Sequence, residues 1–179
     1  GTPINVYDPV YGDINYADLD PQDANDNEIK QTGVYLIDHM EIGRVVVSGA
    51  LRYDDSSSRT LGANGTADTR KDDTATTGRL GLMYRFDSGI SPYISYSEAF
   101  VPNLGTNTDG EGLDPTTGKQ KEAGVKYLSP EGSLEVTAAW FDIEQENQVF
   151  PDPESPLTQT QTGAVVDGWE LQVKKRLGN

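Results

Sequence analysis

Two runs of carboxylates, a single histidine and a few serines are the side chains of this sequence with the most obvious chemistry. Asp18, Asp20, Asp23, Asp26 and Glu28 form one run, and Asp109, Glu111 and Asp114 the other. Hard oxygen ligands at that density suit calcium, but neither run has the Gly and terminal Glu of an EF-hand loop at the required positions. Solvated acidic loops are the preferred reading, and no metal site is assigned. Catalysis finds little to work with. His39 is the only histidine and there is no cysteine, which removes most triads and every thiol nucleophile. Ser95 and Ser97 have no base in a recognisable motif. The carboxylates that could pair for glycoside hydrolysis fall mostly in loops rich in Asp and Gly. The chain does not read as an enzyme, and no residue is expected to be catalytic.

Charge narrows the partners. With 14 Lys+Arg against 29 Asp+Glu the net charge is −15, the wrong sign for displacing phosphate counterions, so no nucleic acid is expected. The same sign gives no attraction to anionic lipid. No run approaches the roughly 18 consecutive apolar residues of a spanning helix. A spanning strand needs only about ten residues, with every second one apolar.

The elements that must position these residues alternate with period two. Val45, Val47, Gly49, Leu51 and Tyr53 face one way, and Val46, Ser48, Ala50 and Arg52 the other. Leu80, Leu82, Tyr84 and Phe86 alternate with Arg79, Gly81, Met83 and Arg85. Further strands are expected from Lys30 to Ile42, from Ser91 to Val101, around Ala123–Tyr127, around Leu134–Phe141 and around Trp169–Lys174. Asp38 interrupts the apolar row of the first of these. Tight turns at Gly43, Ser88 and Pro130 alternate with long polar loops over 54–77, 102–118 and 147–163. Short turns at one end and long loops at the other are the habit of outer-membrane barrels. Tyr53, Phe86, Tyr127, Trp140 and Trp169 fit interfacial girdles. Arg52, Arg79, Arg85, Glu122, Lys126, Glu170 and Lys174 share the polar face, where a dry core would penalise them and a watery lumen would not.

Several stretches resemble TonB-dependent siderophore receptors, most closely the ferrichrome-type branch. They are Lys30-Gln31-Thr32-Gly33-Val34-Tyr35, Gly49-Ala50-Leu51-Arg52-Tyr53-Asp54, the run Ser91 to Phe100, and Lys119 to Tyr127. Asn5 to Gly12 resembles a loop segment before these strands, and Gly168-Trp169-Glu170-Leu171 a later strand. Ile37 departs mildly, since the family tends to have a polar residue there.

The resemblance implies an all-β fold, an antiparallel transmembrane β-barrel segment of about seven strands with long extracellular loops and short periplasmic turns. It implies residues 1–29 as an extracellular loop segment and 30–179 as a partial barrel, lacking the plug domain and TonB box of a 22-stranded receptor. An open sheet of this kind should not be stable alone in water. The implied function is binding and import of ferric siderophores across the bacterial outer membrane. The partners would be the ferric siderophore, outer-membrane lipid, and the TonB complex through the plug. No resident cofactor is expected, the ferric siderophore being carried as ligand. Pockets of the family are lined by aromatic rings, which makes Tyr7, Tyr11 and Phe100 the candidate ligand contacts. The competing reading is a secreted acidic β-sandwich that binds calcium or carbohydrate.

Overall fold

The computed structural model describes residues 26–61, 68–153 and 159–176. Among them seven strands follow in order: β1 (Asp26–Ile42), β2 (Val45–Leu61), β3 (Thr69–Tyr84), β4 (Ile90–Val101), β5 (Thr116–Leu128), β6 (Leu134–Pro151) and β7 (Gln159–Lys175). They form one antiparallel sheet in the order β1-β2-β3-β4-β5-β6-β7, each strand paired with its neighbour in sequence. This meander is the pattern an up-and-down barrel wall requires.

One face of the sheet is apolar and uncovered. Leu36, Leu51, Leu80, Trp169 and Leu171 are exposed by 73, 57, 59, 82 and 70 %. Among the described residues no second sheet packs on them, so the sandwich alternative is not supported: a sandwich buries its apolar face against a partner sheet. The register places these residues on one side. Leu80 lies opposite Gly49 and Tyr96, and Leu171 opposite Ala138. Arg79 and Glu170, one residue away, therefore point to the other, hollowed side.

The outer row changes character sharply along each strand. From the turn end it is apolar up to Tyr53, Tyr96, Trp140 and Trp169, and the next outer residues are Asp55, Glu98, Asp142 and Asp167. At the turn end stand Tyr84, Phe86 and Tyr127, with the Tyr84 and Phe86 rings 4.7 Å apart and edge to face. Two aromatic girdles thus bound an apolar band. From Val45 to Tyr53 the strand climbs roughly 26 Å at about 3.3 Å per residue, or roughly 20 Å of height when tilted by about 40°. Asp38 is the exception, lying in the band opposite Gly49; its carboxylate accepts a hydrogen bond from the His39 N–H at 2.8 Å.

The strands outrun the band, and here the sequence reading needs correction. Residues 54–61 and 69–77 had the look of loop, yet Asp54 to Thr60 pair with Ala75 to Thr69 in an unbroken ladder. β1 likewise begins at Asp26, with Glu28 opposite Arg59. Above the membrane both faces of a hairpin are wet, so the apolar alternation stops while the backbone hydrogen bonds continue. The connections left at this end are 62–68, 102–115 and 152–158. The strand ends that they join all lie at the end opposite the short turns.

Those turns are closed tightly. Gly43 and Arg44 join β1 to β2, and the Arg44 guanidinium forms an ion pair with Asp87 of the next turn. At Gly89 the backbone has φ +84°, and a Cβ placed there would lie 2.1 Å from the Leu128 carbonyl oxygen. Gly89→Ala in the complete receptor is expected to cost at least about 1 kcal/mol, from the left-handed backbone and the forced approach. Chemical unfolding of the refolded protein measures it, and an unchanged midpoint would mean that the turn relaxes freely.

Candidate functional site

Two parts of the hollow side carry the organised polar groups: the wall within the apolar band, and the rim above it. On the wall, Glu41, Arg79, Glu122, Lys126, Glu135, Glu170 and Lys174 share the inner row by register, and Arg85, just past the end of β3, joins them through its pair with Glu41. Of these eight, four are acids and four are bases, so they contribute nothing to the chain's net charge of −15. The Arg85 guanidinium donates to both carboxylate oxygens of Glu41, at 2.7 and 3.1 Å. Around Tyr93 the wall forms a hollow of about 280 Å³ lined by His39, Ser48, Arg79, Tyr93, Glu122 and Lys126, among others. Tyr93 O–H donates to Glu122, whose other oxygen accepts from Gln120 Nε2 at 3.1 Å. The Lys126 ammonium sits 5.0 Å from the Tyr93 ring centroid, in cation–π range. Arg85 is thus paired with Glu41, Lys174 with Glu135, and Tyr93 with Glu122 and Lys126, while Arg79 and Glu170 line the hollows between them.

At the upper end of the wall Asp54 is 2 % exposed. It accepts from Arg52 Nε and Nη2, both at 2.6 Å, and from Gln31 Nε2 at 2.9 Å. The bidentate geometry fixes the guanidinium plane against the strand.

The rim is organised by the β4–β5 connection. Leu113, 2 % exposed, packs with Leu104 over Ser58, Thr60, Thr69 and Lys71, the inner-row ends of β2 and β3. Between them the chain makes a small hairpin: Thr106 bridges Gly112, and Asn107 N–H donates to the Glu111 carbonyl at 2.9 Å. Gly105 has φ +106°, and a Cβ there would be 2.4 Å from Gln159 Oε1, so the loop backbone lies directly on β7. The ends of the loop meet a bulge in β6, where the ladder slips between Gln145 and Gln148 and Asn147 takes φ +57°. That bulge turns the Asn147 carbonyl toward the loop. It accepts from Thr116 Oγ1 at 2.9 Å, Gln161 Nε2 at 3.0 Å and Asn103 Nδ2 at 3.4 Å.

The family profile described as "TonB dependent receptor-like, beta-barrel" matches residues 1–178. The chain belongs to this family. Among its relatives is the ferrichrome outer membrane transporter/phage receptor of Escherichia coli (strain K12), 34 % identical over 97 % of this chain and 24 % of that protein. The ferrioxamine B receptor of Salmonella typhimurium (strain SL1344) is 38 % identical over 81 % of this chain and 20 % of its own length. Of solved structures, the alcaligin outer-membrane receptor FauA of Bordetella pertussis superposes with TM-score 0.68 at 25 % identity, over 86 % of this chain and 28 % of that one. The chain thus spans about a quarter of the relatives it matches. It is a section of TonB-dependent receptor barrel wall in the bacterial outer membrane. The copper transporter OprC superposes equally well at TM-score 0.69 and 21 % identity, which shows that the fold is shared and no more.

Of the expected ligand contacts, Tyr7 and Tyr11 lie outside the described residues. Phe100 lies opposite Thr117 on the outer row, in line with Ile94, Tyr96 and Glu98. Its ring therefore points away from the inner wall, near the upper girdle. Of the acidic residues weighed for calcium, Glu28 pairs with Lys30 and Asp114 with Lys71. Among the described residues no group of three or more such side chains gathers as a metal site. Sequence reasoning missed the rim network. Its signal was Leu104 and Leu113, two apolar residues in an otherwise polar loop.

Proposed function

We propose that this section forms part of the wall and mouth of a receptor that binds ferric siderophores outside the cell. Import would be energised by TonB acting through a plug domain. The observation that carries the reading is the 34 % identity to a ferrichrome transporter across 97 % of the chain. The inner wall supports it: a row of intermixed acids and bases, with Arg85 paired to Glu41 and Lys174 to Glu135, suits a lumen holding water or a polar plug.

Tyr7 and Tyr11 are the proposed ligand contacts. Replacing either with Ala in the complete receptor is expected to weaken ferric-siderophore binding roughly threefold to tenfold, the scale of an aromatic contact of about 0.5–1.5 kcal/mol. A binding titration on detergent-purified receptor reads the effect, with thermal unfolding as control. Unchanged affinity in the double variant removes both rings from the site. Phe100 is the third candidate. From the outer row it can touch ligand only at the rim, and Phe100→Ala is expected to cost about twofold at most. If the receptor binds no ferric siderophore, the proposed function itself fails.

A further inference from the structure

We propose that the β4–β5 loop, residues 102–115, is a fixed specificity wall built across the receptor mouth, its shape set before ligand arrives. The inference rests on the ferric-siderophore reading for what is being selected, and on the rim geometry for the wall itself. A movable flap would need a surface that stays satisfied in two positions. This loop has one. On one side Leu113 is buried on the inner-row ends of β2 and β3, where Lys71 forms an ion pair with Asp114 and donates to the Gly112 carbonyl at 3.4 Å. On the other side Asp114 and Gln161 exchange two hydrogen bonds: Asp114 N–H donates to Gln161 Oε1 at 2.9 Å, and Gln161 Nε2 donates to the Asp114 carbonyl at 2.7 Å. The Gln159 N–H donates to the Thr106 carbonyl at 3.3 Å.

The loop is also folded within itself. Asn107 Oδ1 accepts from the N–H groups of Asp109 and Glu111, at 3.0 and 2.9 Å. Asn103 Nδ2 reaches across the stem to the Asp114 carbonyl at 2.7 Å and Thr116 Oγ1 at 2.9 Å. Lifting the loop would break the contacts to β3 and to β7 together and expose an apolar side chain. The span from β3 to β7 is thus held as one piece. Asn103, Asn147 and Gln161 act as positioning residues for that piece. A mouth framed this way selects by size and shape, admitting a chelate that fits the standing gap.

A reversible crosslink tests this directly. A Cβ on Gly112 would lie 3.2 Å from the Lys71 Cβ, close to the roughly 3.5–4.5 Å of natural disulfides. The section has no cysteine of its own. The complete receptor carrying Lys71→Cys and Gly112→Cys is oxidised with oxidised glutathione, then compared with itself after reduction. Crosslinking is expected to be nearly complete, and ferric-siderophore binding and uptake should differ by less than twofold between the two states. Poor crosslinking of a folded barrel overturns docking. Crosslinking that lowers binding or uptake tenfold, with recovery on reduction, overturns fixity and makes the loop a flap. If this pair fails to fold, Thr69→Cys with Gly112→Cys replaces it, since Thr69 Cγ2 lies 3.4 Å from the same point. Absence of binding in the unaltered receptor would sink the proposed function alone, because crosslinking, read without ligand, still decides docking.

Discussion

Leu80→Arg in the complete receptor is expected to destabilise the barrel by about 2–4 kcal/mol in a lipid bilayer, the cost of an arginine near the midplane of the lipid face. Leu80 is the third outer residue from the turn on β3, after Tyr84 and Leu82, and is 59 % exposed on the uncovered face. Nothing beside it can answer the charge, since its cross-strand partners are Gly49 and Tyr96. The neighbouring change Arg79→Leu should have a small effect, because Arg79 lines the hollow around Tyr93, where water is at hand. Equilibrium unfolding in lipid vesicles, with folding followed by the heat-dependent shift in gel mobility, measures both. Equal costs for the two variants would mean that the faces have been assigned the wrong way round.

The second large effect is local. Leu113→Ala removes a side chain that is 98 % buried, given its 2 % exposure, and such truncations cost about 2–5 kcal/mol. The loss falls on loop docking, because Leu113 belongs to no strand. Amide exchange in 102–115 should therefore quicken by roughly 30-fold to several thousand-fold, at about 1.4 kcal/mol per factor of ten. Exchange along β2 and β3 should stay within a few-fold of its original rate. A uniform increase across the sheet would instead make Leu113 part of the barrel's global stability. Leu113→Met, which nearly conserves volume, should restore most of the protection.

How much of this was legible in the sequence depended on where the solvent changes. Along Val45–Tyr53 and Leu80–Phe86 one face meets lipid and the other a wet lumen, so polarity reports orientation residue by residue. Beyond Tyr53 that contrast vanishes. Asp54, Asp55 and the serines 56–58 have the composition of a loop, although each pairs in the ladder. The orientation of Phe100 was readable in principle, since it shares parity with Ile94 and Tyr96. Its place at a strand end beside a long loop suggested a pocket instead. The rim network was not readable, because Gln161 meets Asp114 across 47 residues of chain. Nothing local marks either residue for the other, and the Asn147 bulge that receives both stems has no sequence signature beyond an Asn that tolerates positive φ.

The abrupt border above Tyr53, Tyr96, Trp140 and Trp169 has a mechanical consequence for the surrounding lipid. An apolar belt roughly 20 Å tall is shorter than the roughly 30 Å hydrocarbon layer of an average bilayer. With Asp55, Glu98, Asp142 and Asp167 immediately above it, the wall cannot absorb the mismatch by sinking deeper. In a thick bilayer the lipid would have to compress around it, whereas the thinner bacterial outer membrane matches it with little deformation. The row of carboxylates thus acts as a depth stop, and hydrophobic mismatch alone would bias such a wall toward the outer membrane.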